Sequence, residues 1–179
     1  MLFVETELSG AYIIKPQRHI DERGYFARTF CRREFVEHGL NPAVIQCNTS
    51  YNHKRGTFRG MHFQAAPHQE EKLVSCMQGA ILDYIVDLRP DSLTFKQWIC
   101  VELTAENGWA LYVPKSFAHG FLTLRDQSVV HYQMTEYHHP ESAFGFRWDD
   151  PAFDITLPFA ITTLAERDRT FPDLYVLPV

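Results

Sequence analysis

The sequence predicts an all-β domain, a jelly roll or double-stranded β-helix with a few short peripheral helices. Between residues 44 and 135, short runs of strand-forming residues alternate with turn sequences at nearly regular spacing, which is typical of a sandwich or barrel. Helical periodicity is confined to two short segments. The chain has 179 residues, of which 45% are hydrophobic and 14% aromatic, enough for one packed core.

The candidate strands are separated by the turn sequences KRG, APHQEE, RPDS, TAENG, KS and RDQ. The strands themselves are VIQCNTSYN, TFRGMHFQ, KLVSCMQ, AILDYIVDLR, KQWICVEL, WALYVP, HGFLTL and SVVHYQM. We therefore expect a single domain over residues 1–179. It divides into an N-terminal arm (about 1–43), a core (about 44–135) and a C-terminal extension (about 136–179).

One short helix is expected at CRREFVEHGL, residues 31–40. Phe35, Val36 and Leu40 lie near helical spacing, and Gly39 is placed to end the helix. The segment LAERDR near the C-terminus predicts a further helical turn.

Charge and composition exclude several classes of protein. The net charge of −5 gives no general reason to bind nucleic acid, so any anion site must be local. The N-terminal sequence has no signal-peptide pattern, and no run is long and apolar enough to cross a membrane, which indicates a cytoplasmic protein. Four cysteines without CxxC spacing, expected to be buried free thiols, argue against a zinc site and against disulfides: Cys31, Cys47, Cys76 and Cys100.

The segment VPKSFAHGF contains Pro114, Ser116 and His119 just before a predicted strand. This arrangement is typical of cupins, a jelly-roll class in which such a histidine points into the barrel. A β-turn with a merely packed histidine is the alternative, and this segment alone does not decide between the two.

A metal site in the barrel is not expected. Many cupins bind metal through a His-x-His pair, since imidazoles two residues apart share one strand face. Here the pair is His62 and Gln64, and an amide is a poor ligand for a transition metal. His68, Glu70 and Glu71 lie nearby in the turn APHQEEK and could in principle compensate. The remaining histidines form no ligand spacing: His19, His53, His131, His138 and His139.

Polar side chains inside such a barrel must satisfy one another or act on a substrate. An inward Asp83 would hold the imidazole of His119 in one tautomer, although the pattern equally allows a solvent-facing carboxylate. His62 would act as a general base if a carboxylate such as Asp168 held its other ring nitrogen, with Tyr132 as a proton donor across the pocket. No local pattern places the tail segment of Asp168 at the barrel.

The chain resembles the dTDP-4-dehydrorhamnose 3,5-epimerase family from about residue 15 to 172. The resemblance rests on segments that occur in the family's order: DERGYFARTF, QCNTS, GTFRGMHFQ, EKLVSCMQG, DYIVDLRPDSLTF, YVPKSFAHGF, HYQMTEYHHP, FRWDDPAFDI and LAERDR. It implies a homodimeric, cupin-like jelly roll that works without metal or organic cofactor on a nucleotide-diphosphate 4-keto-6-deoxy sugar.

The resemblance also implies catalytic roles. His62 matches the family's base, Asp168 the carboxylate paired with it, and Tyr132 the acid on the other side of the pocket. Lys72 matches the lysine that stabilises the enolate oxygen. The expected reaction removes the acidic hydrogens at C3 and C5 and returns them from the opposite face.

Further positions match substrate-binding residues. Arg59 and Arg23 match the residues that hold the diphosphate, for which a planar guanidinium is suited. The N-terminal part with Arg23 is expected to reach the partner subunit's site. Asp83 and His119 match a supporting hydrogen-bonded pair near the sugar. The positions expected near the nucleoside are Gln46, Asn48, Tyr137 and His138.

Three positions depart from the family pattern, and each lies toward the nucleotide base. Arg28 and Ala143 replace glutamates, and His138 replaces a second tyrosine, which weakens the expectation of thymine specificity. The alternatives are a C3-only epimerase, a 3,4-ketoisomerase, a metal-binding cupin or a non-catalytic sugar-nucleotide binding module.

The segment GTFRGMHFQ carries one structural prediction. Arg59 and His62 must reach the same pocket, yet an odd separation sends them to opposite faces of a regular strand. We therefore expect a bulge or bend at Gly60.

Overall fold

The computed structural model describes residues 1–174, and this part of the chain forms fourteen strands, two short α-helices and one 3-10 helix. The strands are β1 Leu2–Glu5, β2 Tyr12–Lys15, β3 Arg18–Asp21, β4 Gly24–Ala27, β5 Gln46–Asn52, β6 Thr57–Gln64, β7 Lys72–Gln78, β8 Ala80–Asp87, β9 Trp98–Thr104, β10 Ala110–Val113, β11 Phe117–Thr123, β12 Ser128–Met134, β13 Ala143–Gly145 and β14 Thr163–Leu164. The helices are α1 Arg32–Glu37, α2 Glu166–Arg169 and the 3-10 helix Pro140–Ser142. Residues 175–179 of the predicted C-terminal extension lie outside the described residues.

Two sheets face each other across the core. One has the strand order β1-β2-β10-β7-β12-β5, and the other has the order β13-β6-β11-β8-β9, with β14 lying parallel to β6. Apolar side chains from both sheets meet in one cluster, which includes Val74 and Leu111 from the first and Ile85 and Phe121 from the second. All eight strands predicted between residues 44 and 135 are confirmed, as is the helix within residues 31–40.

The second sheet is buried on both faces along its central strands β6, β8 and β11. Its inner face packs against the first sheet, and its outer face is covered by apolar side chains of the C-terminal extension, among them Phe146, Phe153 and Ile155. A strand covered on both sides has no reason to alternate polar and apolar residues. This explains why β6 and β8 lack a clean amphipathic pattern.

The N-terminal arm contains four strands that the sequence analysis did not predict. Strands β1 and β2 extend the first sheet through pairing with β10, and Phe35 of α1 packs on that sheet against Leu73 and Tyr112. Strands β3 and β4 form a separate hairpin. Two of its apolar side chains are largely exposed, with Ile20 at 79% and Phe26 at 76%.

A bulge interrupts β6 at Gly60, as predicted. The pairing with β11 shifts there, so that Gly60 and Met61 together lie opposite Gly120. Gly60 adopts φ +133°, and a Cβ atom at this position would come within 2.5 Å of the Gly120 Cα. The bulge turns Arg59 and His62 toward the same cavity.

Two further expectations concern membrane-spanning segments and the burial of the cysteines. In residues 1–174 no helix has the length and apolar character needed to cross a membrane. The four cysteines are free thiols, but the expectation that all are buried is wrong, since Cys47 and Cys100 are exposed. Both belong to strands with a solvent-facing side, where period-2 alternation brings every second residue to the surface.

Candidate active site

A cavity of about 470 Å³ opens between the two sheets, a size suited to a small organic ligand. Strands β5, β7 and β12 line it from one side, and β6, β11 and β13 from the other. Eight of the predicted site residues lie on its wall: Gln46, Asn48, Arg59, His62, Lys72, His119, Tyr132 and His138.

His62 and Asp168 form a hydrogen-bonded pair at the cavity wall. His62 Nε2 lies 2.8 Å from Asp168 Oδ1, and the Gly60 backbone N–H donates to Asp168 Oδ2 at 3.3 Å. The Asp168 side chain is nearly buried, whereas that of His62 is 40% exposed. Because the carboxylate accepts the Nε2 hydrogen, the Nδ1 lone pair of His62 is free to take a proton.

The tail reaches the barrel through β14 and α2. Strand β14 pairs with the start of β6, with Thr163 opposite Thr57 and Leu164 opposite Phe58. Helix α2 follows at once and turns Asp168 inward. This pairing supplies the link between tail and barrel that no local sequence pattern indicated.

Asp83 and His119 form a second pair, deeper in the barrel. His119 Nε2 lies 2.7 Å from Asp83 Oδ1, and Asp83 is fully buried, so the inward orientation is confirmed and the solvent-facing alternative is wrong. Burial raises the pKa of the Asp83 carboxyl, against the opposing effect of His119. Within the described residues Asp83 Oδ2 has no hydrogen-bond partner.

Tyr132 lies across the cavity from His62, because β12 and β6 belong to the two facing sheets. Its ring meets the His119 ring edge-to-face at 6.0 Å between centroids. Burial raises the pKa of the Tyr132 phenol. The phenol is therefore protonated at neutral pH and can donate a proton.

Lys72 places a fixed cation in the cavity wall. Its Nζ lies 3.0 Å from Glu70 Oε1 and 3.5 Å from the His62 carbonyl oxygen. Gln64 donates to the same carboxylate, at 3.1 Å from Glu70 Oε2. These contacts aim the ammonium group at the side of the cavity that carries His62.

Arg59 is exposed at the cavity wall and is held at its Nε atom. This nitrogen donates to Asn52 Oδ1 at 2.8 Å, and Asn52 is only 2% exposed. Among residues 1–174 the terminal nitrogens of the guanidinium have no hydrogen-bond partner, so they can bind an anion.

Gln46, Asn48 and His138 lie together at another part of the wall. Gln46 donates to Asn48 Oδ1 at 3.2 Å and accepts from the His138 backbone N–H at 3.2 Å. The Tyr137 side chain is 60% exposed and does not line the cavity. Of Tyr137 and His138, both expected near the nucleoside, the structure brings only His138 to the wall.

Arg23 is not at the cavity of its own chain. It lies at the turn of the β3–β4 hairpin, where its side chain is exposed and pairs with Asp21 at 2.6 Å. Arg28, one of the departures from the family pattern, pairs with Glu34 at 2.7 Å instead of lining the cavity.

Several residues of the site were not predicted from the sequence. Ser50 and Asn52 continue the strand face of Asn48, so period-2 alternation along β5 was the signal that could have found them. Arg167, on α2, brings another positive charge to the cavity wall. No local sequence pattern indicated Arg167, and the resemblance brought only its neighbour Asp168 to the barrel.

A group of potential metal ligands lies outside the cavity. In the described part of the chain, His68, His139 and Glu141 place their donor atoms within 4.8 Å of one another. The imidazole rings of His68 and His139 are stacked, with 3.5 Å between the ring centroids and an angle of 10° between the ring planes. Lone pairs in nearly parallel planes do not converge on one ion, so this arrangement is not a preformed metal site.

Comparison with known proteins agrees with this geometry. A family model described as dTDP-4-dehydrorhamnose 3,5-epimerase matches residues 5–175. The chain is 43% identical over 180 residues to the dTDP-4-dehydrorhamnose 3,5-epimerase of Methanothermobacter thermautotrophicus, covering 99% of this chain and 96% of the relative.

Solved structures give the same result. The dTDP-4-dehydrorhamnose 3,5-epimerase of Bacillus anthracis with TDP and PPi bound superposes with a TM-score of 0.93 at 40% identity, covering 97% of this chain and 99% of that chain. The Legionella pneumophila enzyme RmlC in complex with dTDP-4-keto-L-rhamnose has a TM-score of 0.92 at 34% identity. The match covers 99% of this chain and 94% of that chain. The predicted cupin-like fold is confirmed, and the chain belongs to the dTDP-4-dehydrorhamnose 3,5-epimerase family.

Proposed function

We propose that this cavity epimerises C3 and C5 of a nucleotide-linked 4-keto-6-deoxyhexose, converting dTDP-4-dehydro-6-deoxy-D-glucose to dTDP-4-dehydro-L-rhamnose. The observation that carries the proposal is the placement of His62, held by Asp168, and of Tyr132 on facing walls of one cavity. Inversion of a carbon centre requires a base on one side and an acid on the other.

The 4-keto group makes the hydrogens on the neighbouring carbons acidic. His62 Nδ1 takes the proton, and the C–H electron pair moves into a carbon–carbon double bond while the carbonyl oxygen becomes an enolate. The enolate then collapses to the ketone as the Tyr132 hydroxyl delivers a proton to the opposite face. Exchange with solvent returns the proton to Tyr132 and removes one from His62.

Lys72 stabilises the enolate oxygen in this proposal. Its positive charge is fixed by Glu70 before the reaction begins, so no reorganisation is needed when negative charge develops on the substrate. The Asp83–His119 pair closes the wall beside Tyr132 and holds the sugar in place.

The anionic part of the substrate binds at the rest of the wall. Arg59 presents free guanidinium nitrogens to the diphosphate, and Arg167 adds a second positive charge. Gln46, Asn48 and His138 face the nucleoside. No organic cofactor or metal takes part in these steps.

We further propose a homodimer in which the β3–β4 hairpin of one subunit reaches the cavity of its partner. Two observations support this arrangement. Arg23 lies away from its own cavity, and the same hairpin exposes Ile20 and Phe26, whose burial would stabilise an interface. The Arg23 side chain then contacts the diphosphate bound by the partner.

Solvent exchange tests the reaction. The protein is incubated with dTDP-4-dehydro-6-deoxy-D-glucose in D₂O, and deuterium at C3 and C5 is followed by NMR and mass spectrometry. We expect deuterium at both carbons, with a His62→Asn variant as the inactive control. Deuterium at C3 alone would indicate a C3-only epimerase, and a keto group moved to C3 would indicate a ketoisomerase. No uptake at either carbon would refute the proposal.

A further inference from the structure

The side chain of Gln64 lies at the end of β6, where two loops meet at the cavity. One loop, residues 65–71, leads from β6 to Lys72 at the start of β7, and the other, residues 135–142, follows β12 and carries His138. Gln64 lines the cavity, yet it is only 4% exposed. A buried amide needs hydrogen-bond partners, and here both loops supply them.

The amide nitrogen of Gln64 donates to both loops. Its Nε2 atom lies 2.9 Å from the His68 carbonyl oxygen and 3.1 Å from Glu70 Oε2, both in the first loop. It also lies 3.1 Å from the Tyr137 carbonyl oxygen in the second loop. The amide oxygen accepts from the His139 backbone N–H at 2.6 Å. These partners fix the orientation of the amide, since the three oxygens accept and the backbone N–H donates.

One of these contacts leads directly to Lys72. Glu70 accepts from Gln64 with one carboxylate oxygen and pairs with Lys72 through the other, at 3.0 Å. The side chains of Glu70 and Lys72 are 7% and 8% exposed, so solvent does little to stabilise either charge. A buried ion pair is favourable when further hydrogen bonds satisfy its remaining polar atoms. Gln64 supplies such a bond to the carboxylate.

The other contacts lead to the nucleoside end of the cavity. Gln64 binds the backbone of Tyr137 and His139, the residues on either side of His138. The imidazole rings of His68 and His139 stack with 3.5 Å between their centroids, which joins the same two loops a second time. The position of His138 at the cavity wall therefore depends on the same amide that supports the ion pair.

We propose that Gln64 is a positioning residue that holds Lys72, through Glu70, in register with the nucleoside end of the cavity. The inference rests on the proposed function for the role of Lys72 at the enolate oxygen. A substrate held by its nucleoside then presents its ketone to a cation whose place is fixed relative to that nucleoside. Such alignment lowers the barrier because the reacting groups are in place before the proton moves.

An amide is the side chain that these contacts require. One end donates to a carboxylate and to backbone carbonyls, and the other accepts from a backbone N–H. A carboxylate at position 64 would only accept and would face Glu70 with like charge, and an apolar side chain would neither donate nor accept. A purely structural Gln64 would need only its backbone contacts. The bond to Glu70 is the one that connects it to the chemistry.

Two substitutions separate the two loops. Glu70→Ala leaves the backbone contacts of Gln64 but removes the partner of Lys72, so we expect kcat for epimerisation to fall about tenfold with little change in KM. Gln64→Met removes contacts to both loops, so kcat should fall to a similar extent and KM should rise. In a Glu70→Ala background, Gln64→Met should lower kcat no further while still raising KM.

Three results would overturn the proposal. The first is an equal fold-loss of kcat on Gln64→Met in the wild-type and Glu70→Ala backgrounds, which would show that the amide does not act through the carboxylate. The second is full kcat in Glu70→Ala, and the third is an unchanged KM in Gln64→Met. If Gln64→Met does not fold, Gln64→Glu takes its place, since it also loses the donor to Glu70.

A second measurement does not depend on turnover. In protein labelled with ¹³Cε-lysine, the Lys72 resonance is assigned by its loss in Lys72→Met and reports the surroundings of the ammonium group. We expect Glu70→Ala and Gln64→Met both to shift this resonance. An unchanged resonance in folded Gln64→Met protein would refute the link between the amide and the cation.

Gln78→Met is the matched control. Gln78 lies on β7, the strand of Lys72, and its amide donates to the Gln127 carbonyl oxygen at 2.9 Å, but the residue is exposed. Its substitution should leave kcat, KM and the resonance unchanged. Thermal unfolding of each variant shows whether it is folded. If the wild-type protein exchanges no deuterium at C3 or C5, the proposed function fails, and the ¹³C resonance alone then decides whether Gln64 positions Lys72.

Discussion

His62 and Asp168 are separated by 106 positions in the sequence, yet their side chains meet at 2.8 Å. The bulge at Gly60 contributes to the contact, since the Gly60 N–H donates to the second oxygen of the same carboxylate. A single acidic residue thus fixes both the imidazole and the backbone that aims it.

Replacing Asp168 by asparagine should lower kcat by about 100-fold, the lower range for loss of general-base catalysis. The amide presents one acceptor where the carboxylate presents two, and it stabilises a protonated His62 poorly. The measurement is the initial rate of deuterium uptake at C3. Asp149→Asn, at an exposed carboxylate paired with Arg147, is the matched control and should retain full activity.

Tyr132→Phe should separate proton removal from inversion. His62 can still take a proton and return deuterium to the same face, so the substrate should exchange with D₂O while little inverted product forms. Product configuration and deuterium content are read from the same NMR sample. Tyr51→Phe, at a half-exposed residue of β5, controls for loss of a hydroxyl. Full epimerisation by Tyr132→Phe would assign the acid to another group.

Gly60→Ala should reduce the free energy of unfolding by roughly 3 kcal/mol or more, because strain at positive φ is added to a steric clash. The new Cβ would lie 2.5 Å from the Gly120 Cα. Gly39→Ala is the control: its φ is +70° but no atom lies within 4 Å, so it should cost about 1–2 kcal/mol. Urea unfolding measures both. Equal costs would contradict the close approach of Gly60 and Gly120.

Asp87 should contribute to stability in a pH-dependent way. Its burial raises the pKa, but hydrogen bonds from Arg89, Ser92 and Thr94 outweigh burial and lower the pKa to about 2. A carboxyl with a lowered pKa stabilises the fold above its unfolded pKa, near 3.8, and this contribution is lost as the pH falls toward 2.

The difference in unfolding free energy between wild type and Asp87→Asn should therefore be largest above pH 4 and shrink on acidification. Urea unfolding at a series of pH values gives this difference directly, with the other titrating groups common to both proteins. A difference that stays constant from pH 6 to about 2.5 would show that Asp87 is not held ionised by its partners.

Mixing two inactive variants tests whether Arg23 acts in the partner's site. Arg23→Ala and His62→Asn homodimers should each be poorly active. After subunit exchange, each mixed dimer holds one cavity with an intact His62 and the Arg23 of the other subunit, so about a quarter of wild-type activity should return. No recovery, with exchange confirmed by native mass spectrometry, would place Arg23 in its own site or outside the reaction.

The sequence predicted the parts of the molecule that depend on local pattern. Strand alternation and turn residues located all eight central strands, and Gly39 located the end of α1. The bulge at Gly60 could be inferred because Arg59 and His62 had to share a pocket. Strands β1 to β4 were missed, since short strands of an N-terminal arm gain their stability from partners far along the chain.

The site residues also fall into those that could be predicted from the sequence and those that depend on contacts between distant segments. The resemblance to the family selected His62, Tyr132 and Lys72, which the structure brings to one cavity. Ser50 and Asn52 could have been found from their alternation with Asn48, but the contact of Asn52 with Arg59 across the barrel could not. Arg167 depends on the parallel pairing of β14 with β6, a contact between segments more than 100 residues apart that no local rule predicts.

The covering of the second sheet by the C-terminal extension has a consequence for biosynthesis. The strands of the barrel leave the ribosome before the segment that shields their outer face and before the carboxylate that pairs with His62. A nascent or truncated chain that lacks this segment exposes the apolar sheet face that Phe146, Phe153 and Ile155 otherwise cover, and its His62 side chain lacks the Asp168 carboxylate. Docking of the extension therefore covers the apolar sheet face and completes the His62–Asp168 pair in one event.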